Sequence, residues 1–337
     1  LTIIRNGQRI EKTLTRGMIP VSSVDASFMI ADSTGYIRLN KFSSQTYREF
    51  MTQLDALTQK GISKLILDLR DNGGGVLEEA IEIADEFLSG DKLITYTEGR
   101  AFPRKEFRCR REGLFEKGKL VVLADEMSAS ASEVLIGALQ DWDRATIMGR
   151  RTFGKGLVQE QYSLSDGSAL RLTIARYYTP SGRSIQRPYN QGKKAYFDEI
   201  NQRADHDSSQ TIKTNADTGR QYKTMAGRIV YGGGGITPDI YVPSDTTRSD
   251  SNLVRVIRGS IPNSAAYRIL LNNPSVDKQF KSPDAFVRSY SISQSDWETL
   301  TALVAKDSIS LSSLKPNDIA YLQLTLKASI ARLIWRN

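Results

Sequence analysis

The chain has 337 residues, of which 39% are hydrophobic and 25% charged, an ordinary composition for a globular protein. This length allows one large domain with a smaller companion. The formal net charge of +8 favours anionic partners only weakly, and the one dense basic stretch, residues 104–111, is short and contains Glu106. We therefore expect no nucleic-acid partner.

The single cysteine and the single histidine limit the chemistry that the chain can perform. Cys109 excludes an internal disulfide, and one cysteine with one histidine cannot build a metal site of several such ligands. The arginines beside Cys109 predict a somewhat acidified thiol, although a bystander role is favoured. A Ser-His-Asp triad would have to use His206, whose polar loop context disfavours it, so a serine hydrolase would need another base.

The ends and the hydropathy of the chain give two further expectations. The chain begins at Leu1 rather than Met, which predicts a fragment or a processed form. No run of 18 apolar residues is present, so we expect no stable membrane insertion of this chain. Residues 1–14 predict a β-hairpin around the turn Asn6-Gly7, either the end of a domain or an edge of the main sheet.

Strand and helix patterns alternate through residues 31–150. Apolar runs predict strands at 36–39, 64–69, 93–96, 120–123 and 145–148, and apolar residues at helical spacing predict helices at 47–57, 77–88 and 134–139. This order predicts an α/β layered core with right-handed crossovers.

The second half of the chain changes character twice. Residues 156–164 and 169–178 predict a hairpin around the turn 165–167. Residues 182–220 are polar and predict irregular or partly helical structure, and 229–242 return to strand character. A polar linker at 244–251 leads into a helical C-terminal region.

Three segments contain candidate catalytic residues. The first, residues 68–75 (Asp-Leu-Arg-Asp-Asn-Gly-Gly-Gly), follows a buried strand, and its glycines can turn backbone amides toward a ligand. A glycine-rich turn without function is the alternative, and neither a Walker loop nor a dinucleotide fingerprint matches. The second, residues 128–133, opens a helix, where Ser130 can act as a nucleophile or simply form a capping box with Glu133.

The third segment, residues 153–159, supplies a candidate base. Lys155 can deprotonate a serine only if it is neutral, and burial between Gly154 and Gly156 would favour that state. Gln159 can orient the lysine by a hydrogen bond. A surface loop lysine is the alternative for Lys155 alone, so the case depends on the three segments together.

These strings resemble the C-terminal processing (tail-specific) peptidases, serine peptidases with a Ser-Lys dyad. The resemblance covers about residues 27–242 and includes further matches at 164–168, 175–182 and 234–239. It implies Ser130 as nucleophile, Lys155 as general base and Gln159 as its orienting partner, with oxyanion amides from Gly75 and Ala131. It implies no metal or cofactor, and substrates that are proteins or peptides with free C-termini.

The resemblance also implies an architecture. Its fold class is α/β (α+β), with a ClpP/crotonase-like layered core and a β-hairpin subdomain. Residues 1–26 correspond to the end of a PDZ domain and a linker, 27–243 to the catalytic core and 244–337 to a helical C-terminal region. A periplasmic or cell-envelope location and a homo-oligomer are further implications. Two alternative hypotheses are a catalytically silent peptide-binding scaffold and an enoyl-hydratase-like enzyme. The enoyl-hydratase-like enzyme would not need Lys155.

Overall fold

The computed structural model describes residues 1–5, 7–17, 21–190, 192–206, 220–243 and 250–335. The chain divides into two compact units, Leu1–Pro243 and Ser244–Asn337. Asn6 of the predicted hairpin turn and residues 244–249 of the predicted linker lie outside the described residues. So do residues 207–219 of the predicted polar stretch.

The first unit contains fourteen strands and four helices among its described residues. In chain order they are β1 (Thr2–Arg5), β2 (Gln8–Glu11), β3 (Val24–Ala31), β4 (Thr34–Leu39), α1 (Thr46–Gln59), β5 (Lys64–Asp68), α2 (Leu77–Asp85), β6 (Leu93–Glu98), β7 (Lys105–Arg108), β8 (Lys119–Ala124), α3 (Ala131–Asp141), β9 (Thr146–Gly149), β10 (Leu157–Ser163), β11 (Ala169–Tyr178), α4 (Gly192–His206), β12 (Gln221–Lys223), β13 (Ile229–Tyr231) and β14 (Ile240–Tyr241).

The main sheet has the order β14-β9-β8-β5-β4-β3. Every neighbouring pair in it is parallel except β3 with β4, which places the antiparallel strand at one edge. Parallel neighbours need crossover connections, and α1, α2 and α3 lie in those connections. The predicted mixed α/β fold is confirmed.

Helix α3 begins at the end of the loop that carries Ser130, and all its residues are buried. It packs against α2, β6 and β9, so it is enclosed on several sides. A helix that is apolar around most of its circumference is expected in such a position. Helix α3 is therefore part of the packed core of the first unit.

A second, antiparallel sheet has the order β10-β11-β6-β7. The predicted strand 93–96 belongs to this sheet and not to the α/β core, because its partners are β7 and the distant strand β11. Hydrophobic periodicity predicts that a segment is a strand, but it does not predict the strand with which that segment pairs. The predicted hairpin is present as β10 and β11, with a bulge between Val158 and Gln159. Strand β7 lies within the basic stretch, where no strand is predicted.

The second unit contains helices only among its described residues. They are α5 (Ser251–Arg258), α6 (Ile261–Asn272), α7 (Val276–Gln279), α8 (Pro283–Ser289), α9 (Gln294–Lys306) and α10 (Pro316–Trp335). Its core includes Phe286, Leu300, Leu322, Leu326 and Ile330, each fully buried. The C-terminal region is therefore helical, as predicted, over its described residues. In the part of the chain that the structure describes, no helix combines the length and apolarity needed to cross a membrane.

Candidate active site

The first two chemical segments meet where neighbouring parallel strands end. Strand β5 ends at Asp68 and leads into the glycine run, and β8 ends at Ala124 and leads to Ser130. The two strands are hydrogen-bonded neighbours, so their carboxyl ends lie side by side. This is the edge of an open α/β sheet at which ligands usually bind.

Ser130 has an unusual backbone. It lies immediately before α3 with φ 58° and ψ −115°, a conformation that L-residues rarely adopt. Strain of this kind costs about 1–3 kcal/mol and persists where surrounding structure enforces it, often at functional sites. The residue is partly exposed, so its side chain is accessible at the helix entrance.

The glycine run packs directly against this turn. A Cβ on Gly74 would lie 2.8 Å from the Ser130 Cβ and 2.9 Å from the Ala131 nitrogen. A Cβ on Gly75 would lie 1.9 Å from the carbonyl oxygen of Phe42, and both glycines have positive φ. No larger residue fits at either position, so Gly74 is required for the close approach to the serine turn and Gly75 for the close approach to Phe42.

Buried polar groups lock the two loops together. The carbonyl of Asn72 accepts hydrogen bonds from Ala129 N at 3.0 Å and from Ser132 Oγ at 2.9 Å. Asp125 accepts from the backbone N–H groups of Asp71 and Ser128. Because Asn72 and Ser132 are fully buried, these bonds form away from water and hold the loops in one arrangement.

Two backbone amides remain free beside Ser130. Among the described residues, the N–H groups of Gly75 and Ala131 donate to no acceptor, whereas the neighbouring Gly74 and Ser132 amides are bonded to Asn72 Oδ1 and the Ala129 carbonyl. Unpaired N–H groups at a helix entrance provide donors for an anionic oxygen.

The Glu133 side chain forms hydrogen bonds with both the serine turn and the lysine loop. Its buried carboxylate accepts hydrogen bonds from four donors: Ser130 N at 2.9 Å, Lys155 N at 2.8 Å, Gly154 N at 2.6 Å and Thr152 Oγ1 at 2.6 Å. Ser130 N and Lys155 N share the same oxygen atom. Burial raises the pKa of Glu133 despite these donors. This carboxylate connects the serine turn to the loop that carries the lysine.

The prediction that Lys155 is buried is wrong. Gly154 and Gly156 on either side of it are buried, against Arg187 and Ile185, but the Lys155 side chain is exposed. Together with Gln159 it lines a cavity of about 600 Å³. The glycines therefore pack the backbone tightly, as expected, while the amine points into an open space.

The structure places Ser130, Lys155 and Gln159 in one region, but their side chains do not form hydrogen bonds with one another in the described residues. In the residues that the structure describes, no hydrogen bond links Lys155 Nζ to Ser130 Oγ or to the Gln159 amide. The backbone of Lys155 is nevertheless tied to that of Ser130 through one carboxylate oxygen of Glu133. Lys155 and Gln159 share the cavity because alternate residues of an extended chain face one side.

Asp68 anchors the start of the glycine turn. Its fully buried carboxylate accepts from the Arg70 guanidinium, at 2.6 Å in the shortest contact, and from the Tyr36 hydroxyl at 2.6 Å. Burial alone raises the pKa of Asp68, but these hydrogen bonds outweigh it and hold the pKa below its usual range. Asp68 therefore stabilises the fold in its charged form.

We expect Asp68→Asn to destabilise the protein in a pH-dependent way. A depressed carboxyl pKa gives stability that is present above the unfolded value of about 3.9 and is lost as the pH falls. The variant should therefore lower the free energy of unfolding more at about pH 7 than at about pH 3. Urea unfolding at both pH values tests this, with the exposed Asp55→Asn as control. An equal loss at both pH values would contradict the assignment.

The structure differs from the sequence predictions for Cys109 and His206. Cys109 is buried, and burial together with the nearby Asp85 raises its thiol pKa to about 12, so the predicted acidification is wrong. Its flanking arginines do not set its environment because the thiol points into the core. His206 is the last residue of α4 rather than part of a loop, and its side chain lies outside the described residues. No cluster that could hold a metal ion occurs in the described ranges.

Comparison with known proteins places this site in a family. Residues 33–192 match the family model described as peptidase family S41. This segment belongs to peptidase family S41. The S41 segment contains the three chemical segments described above, including Gly75, Ser130 and Lys155.

Curated relatives of the S41 segment are named as processing proteases. The chain is 42% identical over 192 residues to a carboxyl-terminal-processing protease of Synechocystis sp., covering 56% of this chain and 44% of the relative. It is 37% identical over 192 residues to a carboxy-terminal-processing protease of Bartonella bacilliformis, covering 55% and 44%. The chain thus spans less than half the length of these relatives.

A solved structure is also similar to this chain. The photosystem II D1 C-terminal processing protease aligns with a TM-score of 0.49 and 27% identity, over 70% of this chain and 52% of that one.

Sequence reasoning did not anticipate the roles of Glu133 and Asn72 in the S41 segment. The Ser130–Glu133 spacing predicts a helix cap, and the hydrogen bond from the Ser130 N–H to the Glu133 carboxylate is present. A glutamate that is fully buried at a helix start, rather than solvated, is the unusual feature, and burial is not visible in a local motif.

Proposed function

We propose that the chain is a serine endopeptidase that cleaves proteins near their C-termini. Ser130 is the nucleophile, Lys155 the general base and Gln159 its orienting partner, and the amides of Gly75 and Ala131 form the oxyanion hole. The observation that carries the proposal is the pair of unpaired amides beside a strained, accessible serine at a helix entrance. The names of the relatives as carboxyl-terminal-processing proteases agree with it.

The reaction then follows acyl-transfer chemistry. Neutral Lys155 removes the proton from the Ser130 hydroxyl as its oxygen attacks the peptide carbonyl. The resulting oxyanion accepts hydrogen bonds from Gly75 N and Ala131 N. Lys155 passes the proton to the leaving amine, the C–N bond breaks, and water activated by the same lysine hydrolyses the acyl-enzyme. No cofactor enters any of these steps.

A movement of the lysine is part of this proposal. The Lys155 side chain lies in an open cavity, and it must turn toward Ser130 and lose water before it can act as a base. The shared Glu133 oxygen keeps the two backbones close, so rotation of the long lysine side chain, rather than a large loop movement, is the change required. Substrate that covers the cavity would supply the desolvation.

The wider organisation is proposed on the resemblance. Residues 1–26 form the end of a PDZ domain with a linker, 27–243 a ClpP/crotonase-like catalytic core and 244–337 a helical region. The PDZ domain captures the free C-terminus of the substrate, and the enzyme works in the periplasm or cell envelope as a homo-oligomer. The bacterial source of both relatives agrees with this location.

A serine-reactive phosphonate tests the proposed function directly. We expect the wild-type protein to gain the mass of one phosphonyl group on Ser130 and to cleave casein. The Ser130→Ala variant should do neither while unfolding at the same urea concentration as the wild type. Labelling of another serine, or casein cleavage by Ser130→Ala, would refute the assignment of the nucleophile.

A further inference from the structure

The cavity beside Lys155 has an aromatic wall from a second part of the chain. Phe153 and Leu157 line it next to the lysine, and Tyr196 and Phe197 line it from helix α4. The family match ends at residue 192, where α4 begins. These two rings therefore come from outside the S41 segment.

An ion-pair cluster attaches α4 to the lysine loop. The Glu199 carboxylate pairs with the guanidinium groups of Arg151, Arg187 and Arg203. Arg203 also donates to the carbonyl of Thr152 at 2.7 Å. Because Arg151 and Thr152 directly precede the Phe-Gly-Lys-Gly loop, the helix is connected to that loop at several points.

The aromatic wall is itself supported. The Arg187 side chain is only 3% exposed, and its guanidinium carbon lies 4.5 Å from the ring centre of Phe153 and 4.0 Å from that of Tyr196. Its backbone N–H donates to the Gly154 carbonyl at 2.9 Å. Stacked and bonded in this way, the rings present a preformed surface to the cavity rather than one that must order on binding.

A peptide has an adjacent strand to which it can bind. Strand β10 lies at the end of its sheet, and its outer edge pairs with none of the described strands. A peptide that adds to such an edge places alternate side chains on the same face. Leu157 and Gln159 of β10 face the cavity, so an added peptide would direct a side chain toward it.

We propose that this cavity is a specificity pocket that takes a bulky apolar side chain of an extended peptide substrate, with Phe197 setting its size. The inference rests on the proposed peptidase function and specifies the substrate it prefers. Apolar and aromatic walls favour leucine or phenylalanine. Lys193 also lines the cavity, and its positive charge disfavours lysine or arginine there.

Matched peptides test the pocket. Cleavage sites in reduced casein are mapped by mass spectrometry, and peptides are made that differ only at the residue found to be selected, with phenylalanine, alanine or lysine there. We expect kcat/KM for phenylalanine to exceed that for alanine by about 10-fold or more, with lysine the lowest. Phe197→Ala should reduce the phenylalanine-to-alanine ratio by about 10-fold, and Phe197→Trp should shift preference toward alanine.

The control is Phe28→Ala, since Phe28 is similarly exposed but lies on the edge strand β3, away from the cavity. It should leave the ratio unchanged. Equal kcat/KM for all three peptides, or an unchanged ratio in Phe197→Ala, would overturn the pocket while leaving the peptidase intact. Absence of any cleavage and labelling in the wild type would overturn the proposed function and this inference with it.

Discussion

Lys155→Ala should abolish peptide cleavage without weakening the fold. In its proposed role as general base, Lys155 contributes to both acylation and deacylation, and removing such a group costs on the order of 10⁴-fold or more in kcat. Its exposed side chain makes no hydrogen bond or ion pair in the described part of the structure, so its removal should leave the free energy of unfolding unchanged. Casein cleavage and urea unfolding of the same preparation measure both effects.

Two further variants sharpen this result. Lys155→Arg keeps the positive charge but cannot lose its proton, so it should be as inactive as Lys155→Ala. Lys117→Ala removes an exposed lysine elsewhere and should retain full activity. Activity in either Lys155 variant within about 10-fold of the wild type would show that another group acts as base.

Glu133→Gln should lower both stability and serine reactivity. The carboxylate accepts from four donors, and an amide of the same shape turns its NH₂ group toward two of them. Buried donors left without an acceptor cost about 1–3 kcal/mol each, so the free energy of unfolding should fall by more than about 2 kcal/mol. Because this carboxylate connects the serine turn to the lysine loop, loss of two of its hydrogen bonds weakens that connection, and phosphonate labelling of Ser130 should also slow.

The measurements are urea unfolding and the labelling rate, determined under conditions where the variant is still folded. Glu112→Gln, which changes an exposed glutamate, should affect neither. If Glu133→Gln labelled at the wild-type rate, the carboxylate would act only on stability and would not position the serine turn against the lysine loop.

The same residues show how far local pattern extends. The order of strands and helices, the triple-glycine turn after β5 and the position of Ser130 at a helix entrance all follow from periodicity and from turn and cap residues, which act over a few positions. These features place two chemical segments at neighbouring strand ends once the sheet is parallel. The Phe-Gly-Lys-Gly motif identifies the lysine loop, but local pattern does not show where in the fold that loop lies.

What the amino-acid sequence alone determined was therefore the mixed α/β layering, the hairpin, the helical C-terminal unit and the segments that carry the candidate chemistry. Only the tertiary structure decided that β6 joins the hairpin sheet, that Cys109 is buried, that Lys155 is exposed in a cavity walled by α4, and that Glu133 binds two loops at once. Each of these depends on contacts between residues far apart along the chain. The burial of a side chain and the pairing of a strand depend on residues that are distant in the sequence. The spacing of neighbouring residues therefore does not predict them.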